Sequence, residues 1–189
     1  RGFWNVSEAM QVCGGAGYTT DWCIEQYMRD MRIAMIYEGT NHIQALDLIG
    51  RKLPYKGGRA MMSFSKRITA FIKENSDNEE MAPFVTPVKE ASKLLSDITM
   101  NTLMAKASQD PEEGAAVASN YLNLFAITAI GYLMGLQAKA ALGQEGRFYS
   151  TKVKMARYYM DQILPEIHSL AELIRKGKAN VMAFEVEEF

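Results

Sequence analysis

Two cysteines, two histidines and five prolines in 189 residues leave this chain little with which to cross-link, ligate or interrupt itself. Cys13 and Cys23 lie ten positions apart around a glycine turn, a spacing of neither a zinc knuckle nor a CxxC redox pair, so free thiols are expected. Charge of one sign is also lacking: 21 basic against 22 acidic residues give a net charge of −1, which excludes a strongly basic nucleic-acid binder by composition. No basic segment followed by an apolar one marks a signal peptide. The most apolar run, Tyr121 to Leu136, is about 16 residues long and broken by Asn123 and Thr128, short of the roughly 20 that span a bilayer, so no integral membrane segment is expected. Its Gly131-x-x-x-Gly135 spacing reads as close packing between helices, with a membrane dimer motif as the alternative. The chain begins at Arg1 rather than Met, and the expectation is a piece of a longer polypeptide, cytoplasmic if bacterial and mitochondrial if eukaryotic.

What is present is 48% apolar residues and 23% charged, enough for a core burying roughly 70% of the unfolded surface. The periodicity is helical throughout. Phe3 to Val12 reads as a short helix stopped by Gly14 and Gly15, and a second helix is expected from Thr20 or Asp21, burying Ile24, Tyr27, Met28 and Met31 at i, i+3, i+4 and i+7. The pattern breaks over 32–37 and resumes with Asn41 as N-cap, Gln44 bonding back to it, and Pro54 closing the segment. Beyond Tyr55 come four long helical patterns. Met61, Phe64, Ile68 and Phe71 mark the first; Thr86-Pro87 is expected to cap the second, which carries Val88, Ala91, Leu95 and Ile98. Asp110 caps the third, with acids in its first turn, and the fourth runs from Phe148 to Lys176 with a kink at Pro165. The expected fold is all-α: a short helical lobe over 1–54, then a four-helix up-and-down bundle over 55–189.

Few residues on this frame have chemistry to offer. Glu38, between Ile36-Tyr37 and Gly39, stands just ahead of a helix; there it is either an acid stabilised by the helix N-terminus or a base in a partly dry cleft. Gln11-Val12-Cys13-Gly14-Gly15-Ala16-Gly17-Tyr18 is either a helix-stop turn or a backbone that approaches a phosphate closely; it lacks the spacing of the dinucleotide fingerprint. His168 follows Glu166 with one residue between, not the Glu-x-x-His of metal bundles, and no metal is expected. From Arg51 to Lys73 there are seven basic residues and no acid, a solvated helix face or a surface for phosphates, protein or nucleic acid. Among the thirteen methionines, Met61, Met62, Met100, Met104, Met155 and Met160 fall at helical spacings that suit an adaptable core better than a binding groove.

The first 54 residues, with "QVCGGAGY", "EQYMRD" and "MRDMRIAMIYEGTNHIQ" in order, resemble the last catalytic segment of the acyl-CoA dehydrogenase family. The resemblance covers under a third of the chain, and the remaining bundle is similar to the helical extension of the family's longer members. It implies α,β-desaturation of an acyl-CoA thioester: Glu38 matches the base that takes the proton α to the thioester, and FAD takes the β hydrogen as hydride. Gly39 matches a substrate contact. Thr40, Asn41 and His42 match a stretch that touches FAD, and Gln11, Val12, Cys13, Gly14 and Gly15 match one that reaches its adenine and diphosphate end, commonly from a neighbouring subunit. His42 by itself would be a surface helix residue and Cys13 a small core filler. The family further implies an electron-transfer flavoprotein as acceptor, or dioxygen in an oxidase, with a homodimer or homotetramer at full length and no activity for this piece alone. Two other readings stay open: a noncatalytic interaction or oligomerisation module, and a DNA-associated member of the same superfamily using the basic stretch.

Overall fold

A computed structural model describes residues 1–188. It is all-α, with no strand among the described residues, and it divides into two compact units, Arg1–Gln44 and Ala45–Phe189.

In the first unit, α1 (Gly2–Val12) packs antiparallel on α3 (Ile24–Ile33): the side chain of Met31 lies against Gly2, and the Arg32 guanidinium sits 5.8 Å over the Phe3 ring. Between them come one turn of helix, α2 (Gly15–Tyr18), and a tight turn at Thr20–Trp22. The expected start of the second helix at Thr20 or Asp21 is therefore too early. Cys23, at φ +54, is left-handed and separates the tight turn from α3. The expected buried stripe is also corrected: no residue of α3 is buried, and Tyr27 is 59% exposed. One short partner helix covers only part of an apolar face.

The second unit is the bundle. After α4 (Asn41–Asp47) the chain makes a wide turn at Leu48–Lys52, where Leu53 N–H donates to the Leu48 carbonyl five residues back. Then follow α5 (Tyr55–Asn75), α6 (Ala82–Asp97, continued through a wide turn at Ile98–Met104 and α7, Ala105–Ala107), α8 (Pro111–Ala141), α9 (Arg147–Tyr158) and α10 (Glu166–Lys176). The last two are the expected fourth helix, broken by a wide turn at Tyr159–Ile163 and by Pro165. Ile68 and Phe71, then Val88, Ala91, Leu95 and Ile98, and then Ala156, Met160, Ile167 and Ile174 are buried on the inner faces their spacing assigns.

The start of α6 is corrected. It begins a turn earlier than Thr86-Pro87, because the Asn78 carboxamide oxygen accepts from the N–H groups of Glu80 and Met81, and Pro83 occupies the first turn. Pro87 lies inside the helix. Asp110 caps α8 as expected, accepting from Glu112 N–H at 3.0 Å.

α8 is the central helix, packed on α6, α9 and α10. At 31 residues it extends well beyond the run noted in the sequence and is, by length and composition alone, long and apolar enough to cross a bilayer. The two glycines of its later half, Gly131 and Gly135, face inward. A Cβ at Gly131 would meet Leu164 at 3.0 Å, and one at Gly135 would meet the Phe71 ring at 2.9 Å, so both are sites of close approach within the bundle. Tyr121, fully buried on the same helix, hydrogen-bonds Thr99 at 2.8 Å; burial pushes its phenol up to about 12. The methionine expectation holds for Met160, which is buried, but Met62 and Met100 are 51% and 65% exposed and line a surface groove, and Met155 is exposed too. Shape decides this, since a helix carrying apolar residues beyond its inward stripe must display some of them.

Candidate functional site

α3 ends at Ile33 because the chain turns over Ala34–Glu38: Met35 and Ile36 N–H donate to the carbonyls of Arg32 and Ile33, and Tyr37 N–H also reaches Ile33. Glu38 then adopts φ +57 and Gly39 φ +91. A left-handed glutamate is uncommon and costs energy, so the surrounding bonds have to hold it. The Gln44 carboxamide does so, donating to the Glu38 carbonyl at 2.7 Å. Gly39 is required there: a Cβ would lie 3.0 Å from Gln44 Nε2 and 3.3 Å from Ile43 Cγ2 in a backbone conformation that disfavours side chains.

Two capping expectations change at this joint. Asn41 is the first residue of α4 rather than its cap; the Thr40 hydroxyl takes that role, accepting from Ile43 N–H at 3.5 Å. Gln44 bonds back not to the cap but to Glu38, so the helix start is spent on holding the bend. Spacing alone favoured the simpler capping box because it carries no information about where the bend's carbonyl points.

The carboxylate and N–H of Glu38 have no hydrogen-bond or ion-pair partner among the described residues, and the side chain is exposed. The partly dry cleft expected around it is not built by this chain. Nor is Glu38 locked in an ion pair, in contrast to Glu25, which is taken by Arg29, and Asp47, whose bonds from Arg51 and then Lys52 hold its carboxyl down at about 2. Thr40, Asn41 and His42 follow on the exposed side of the joint.

Gln11, Val12, Cys13, Gly14 and Gly15 form the end of α1 and the turn after it. Gly14 is left-handed, at φ +58, and a Cβ at Gly14 or Gly15 would meet nothing within 4 Å. This backbone is uncovered, with Cys13 half-buried and its neighbours exposed. Because α1 and α3 run antiparallel, this turn and the Glu38 bend lie at opposite ends of the hairpin, separated by the length of α3, about 15 Å for ten residues. The sequence placed the helix stop at Gly14 and Glu38 ahead of a helix but could not tell that they lie at different ends. Residues that sequence reasoning missed are Gln44 as the brace of the bend and the left-handed Cys23; a glutamine six residues beyond a turn glutamate was the only signal available.

Among the described residues, no three His, Cys, Asp or Glu side chains converge as metal ligands, and His168 is exposed on α10.

Residues 2–53 match the family profile described as acyl-CoA dehydrogenase, C-terminal domain, and residues 64–185 match the one described as acetyl-CoA dehydrogenase C-terminal like. The chain is 33% identical to the 3-methylmercaptopropionyl-CoA dehydrogenase of Ruegeria pomeroyi, over 85% of this chain and 28% of that protein. It is 28% identical to the broad-specificity linear acyl-CoA dehydrogenase FadE5 of Mycobacterium tuberculosis, over 97% and 32%. Over 39 residues, 21% of this chain and 10% of the relative, identity reaches 60% with the probable acyl-CoA dehydrogenase fadE25 of Mycobacterium bovis. The chain thus spans under a third of the length of these relatives. Helical bundle, glutamate bend and both matched segments agree: the chain belongs to the acyl-CoA dehydrogenase family.

Proposed function

We propose that this chain supplies the catalytic base of an acyl-CoA dehydrogenase, an oxidoreductase that forms a double bond α,β to a CoA thioester, and that Glu38 is that base. The division of labour follows the sequence, with 1–54 carrying the base and cofactor motifs and 55–189 forming the helical extension. One observation carries the reading: Glu38 is held in an unfavourable backbone conformation by Gln44, yet its carboxylate is exposed and engaged with no other group among the described residues. A merely structural acid does not need such a bend, and backbone strain tends to collect where function needs a particular aim.

In this reading the Glu38 carboxylate accepts the proton from the carbon α to the thioester carbonyl. Substrate binding expels water from around it, strengthening it as a base, and a positioned base of this kind contributes roughly 10²–10⁴ in rate. The Glu38 N–H, also without a partner among the described residues, donates to the thioester oxygen as negative charge builds there. Gly39 leaves the approach to that oxygen clear of a side chain.

The donor set fits FAD: a row of hydroxyl, carboxamide and imidazole at Thr40, Asn41 and His42, and at the far end of the hairpin an uncovered glycine backbone beside the Gln11 carboxamide. Bound there, the flavin would supply the hydride acceptor for the β hydrogen. The two ends of the hairpin, about 15 Å apart, would hold different parts of the cofactor or parts of two such molecules. Reoxidation by an electron-transfer flavoprotein completes the proposal.

The experiment is Glu38→Gln in the full-length protein. Flavin should remain bound while its bleaching by acyl-CoA is lost; bleaching at a near wild-type rate would move the base elsewhere.

A further inference from the structure

α5 presents Arg59, Lys66 and Lys73 at seven-residue intervals, hence on one face, with Arg67 beside Lys66. All four are exposed, and none forms an ion pair among the described residues; Glu74, the acid nearest this row in sequence, is taken by Lys139 at 3.0 Å. The row is about 21 Å long at helical rise. Alongside it lies an open, mainly apolar groove of about 290 Å³ between α5 and α6, lined by Met61, Met62, Lys66, Thr99 and Met100 among others. A strip of unpaired cations beside a flexible methionine surface suits an extended ligand that is acidic on one side and apolar on the other.

The same unit contains such a segment. Beyond α10, Val181, Met182 and Val186 are 59%, 57% and 83% exposed, interleaved with Glu185, Glu187 and Glu188. Residues 181–188 would reach about 26 Å when extended, close to the length of the cationic row. Its root is firmly held. Lys178 Nζ pairs with Asp110 and Glu112, its N–H donates to Glu113 at 3.1 Å, and Lys106 Nζ donates to the Arg175 carbonyl at 2.9 Å. Arg175 in turn pairs with Asp97 at 3.4 Å, one residue from the groove-lining Ser96 and two from Thr99. The tail therefore leaves the bundle from a clasp on α7 and α8, with Arg175 bridging to the helix that forms one wall of the groove, while its own apolar side chains remain exposed.

We propose that the groove between α5 and α6 receives the acidic tail, residues 181–188, of a second copy of this chain. The exchange is reciprocal, because a two-fold axis relating the copies lets each place its tail on the other. The three tail glutamates then meet the α5 cations, and the valines and Met182 cover Met62 and Met100.

The test is photo-crosslinking of the whole chain carrying Met182→p-benzoylphenylalanine, in a mixture of isotopically heavy and light copies. Adducts joining heavy to light chains at Met62 or Met100 are expected. Their yield should fall about tenfold with Lys66→Glu and Arg67→Glu together, and recover when Glu187→Lys and Glu188→Lys are added to the same chain. Circular dichroism checks that the charge variants, all at exposed positions, keep their helices. Adducts confined to single chains overturn the proposal, as does a yield indifferent to charge reversal. So does a basic face that captures duplex DNA or anionic vesicles while giving no crosslink between copies.

Discussion

Gly39 follows a glutamate that is itself left-handed, and the pair survives because Gln44 ties the Glu38 carbonyl at 2.7 Å. Gly39→Ala puts a Cβ against Gln44 Nε2 and Ile43 in a disfavoured conformation, at a cost of about 1–3 kcal/mol to the bend. Faster amide exchange over residues 38–44, with the bundle unaffected, is the expected signature. Buried Tyr121 makes a different residue-scale case. Tyr121→Phe leaves Thr99 still donating to the Leu95 carbonyl at 2.6 Å, so the loss should be about 1 kcal/mol in chemical denaturation rather than the larger penalty of an orphaned group. What the sequence showed at this scale was the residue types; that Glu38 is left-handed, and that Gln44 rather than a capping box holds it, depended on a turn whose geometry has no local pattern.

Between elements of the bundle, Gly131 and Gly135 of α8 mark close approaches to Leu164 and Phe71. Gly135→Ala should destabilise the bundle by about 1–3 kcal/mol, since the Phe71 ring lies 2.9 Å from the new methyl and must move. Phe71→Leu in the same chain should recover part of that loss, and thermal unfolding of the two single variants and the double gives the coupling. The ionic clasp between α10 and α8 sets a pH dependence. The bond from Lys178, followed by that from Glu112 N–H, lowers Asp110 below its ordinary 3.8; a depressed carboxyl stabilises above that value and loses its contribution as pH falls toward the folded one. Lys178 is raised, first by Asp110 and then by Glu112, so its contribution is complete at neutral pH and is lost only as pH climbs past 10.5. Amide exchange at Ile174 and Gly177 should therefore quicken below about pH 4, and Asp110→Asn, which keeps the cap, should flatten that response. Helical periodicity made the inner faces of α5, α6 and the fourth helix legible in advance. The starts of α3 and α6 were not, because Cys23 and Asn78 set them through backbone conformation and a carboxamide bond that outweighed the Thr86-Pro87 signal.

On the scale of the molecule, the two units differ in how far they are covered. The bundle has a continuous core, whereas α1 and α3 bury no residue, and Trp4, Tyr18 and Trp22 are 63%, 78% and 61% exposed. Both tryptophans lie in the first unit, so its fluorescence reports on anything that covers it. This chain should emit at the long wavelengths of hydrated indole, and a longer form in which further residues pack on these helices should emit further to the blue. For the same reason this chain should take up no stoichiometric flavin, as equilibrium dialysis would show; tight uptake would mean that residues 1–54 suffice for the cofactor site.

By itself the sequence determined the class of fold, the inward faces of the long helices and the family, because those follow from residue type and spacing, which are local. The tertiary structure alone decided that the Glu38 bend and the glycine turn sit at opposite ends of a hairpin, that the methionines divide between core and groove, and that the root of the tail is clasped to α8. Each of these depends on how one helix is placed against another, and that is settled by close contacts between residues far apart in the chain, such as Gly135 with Phe71 and Asp97 with Arg175.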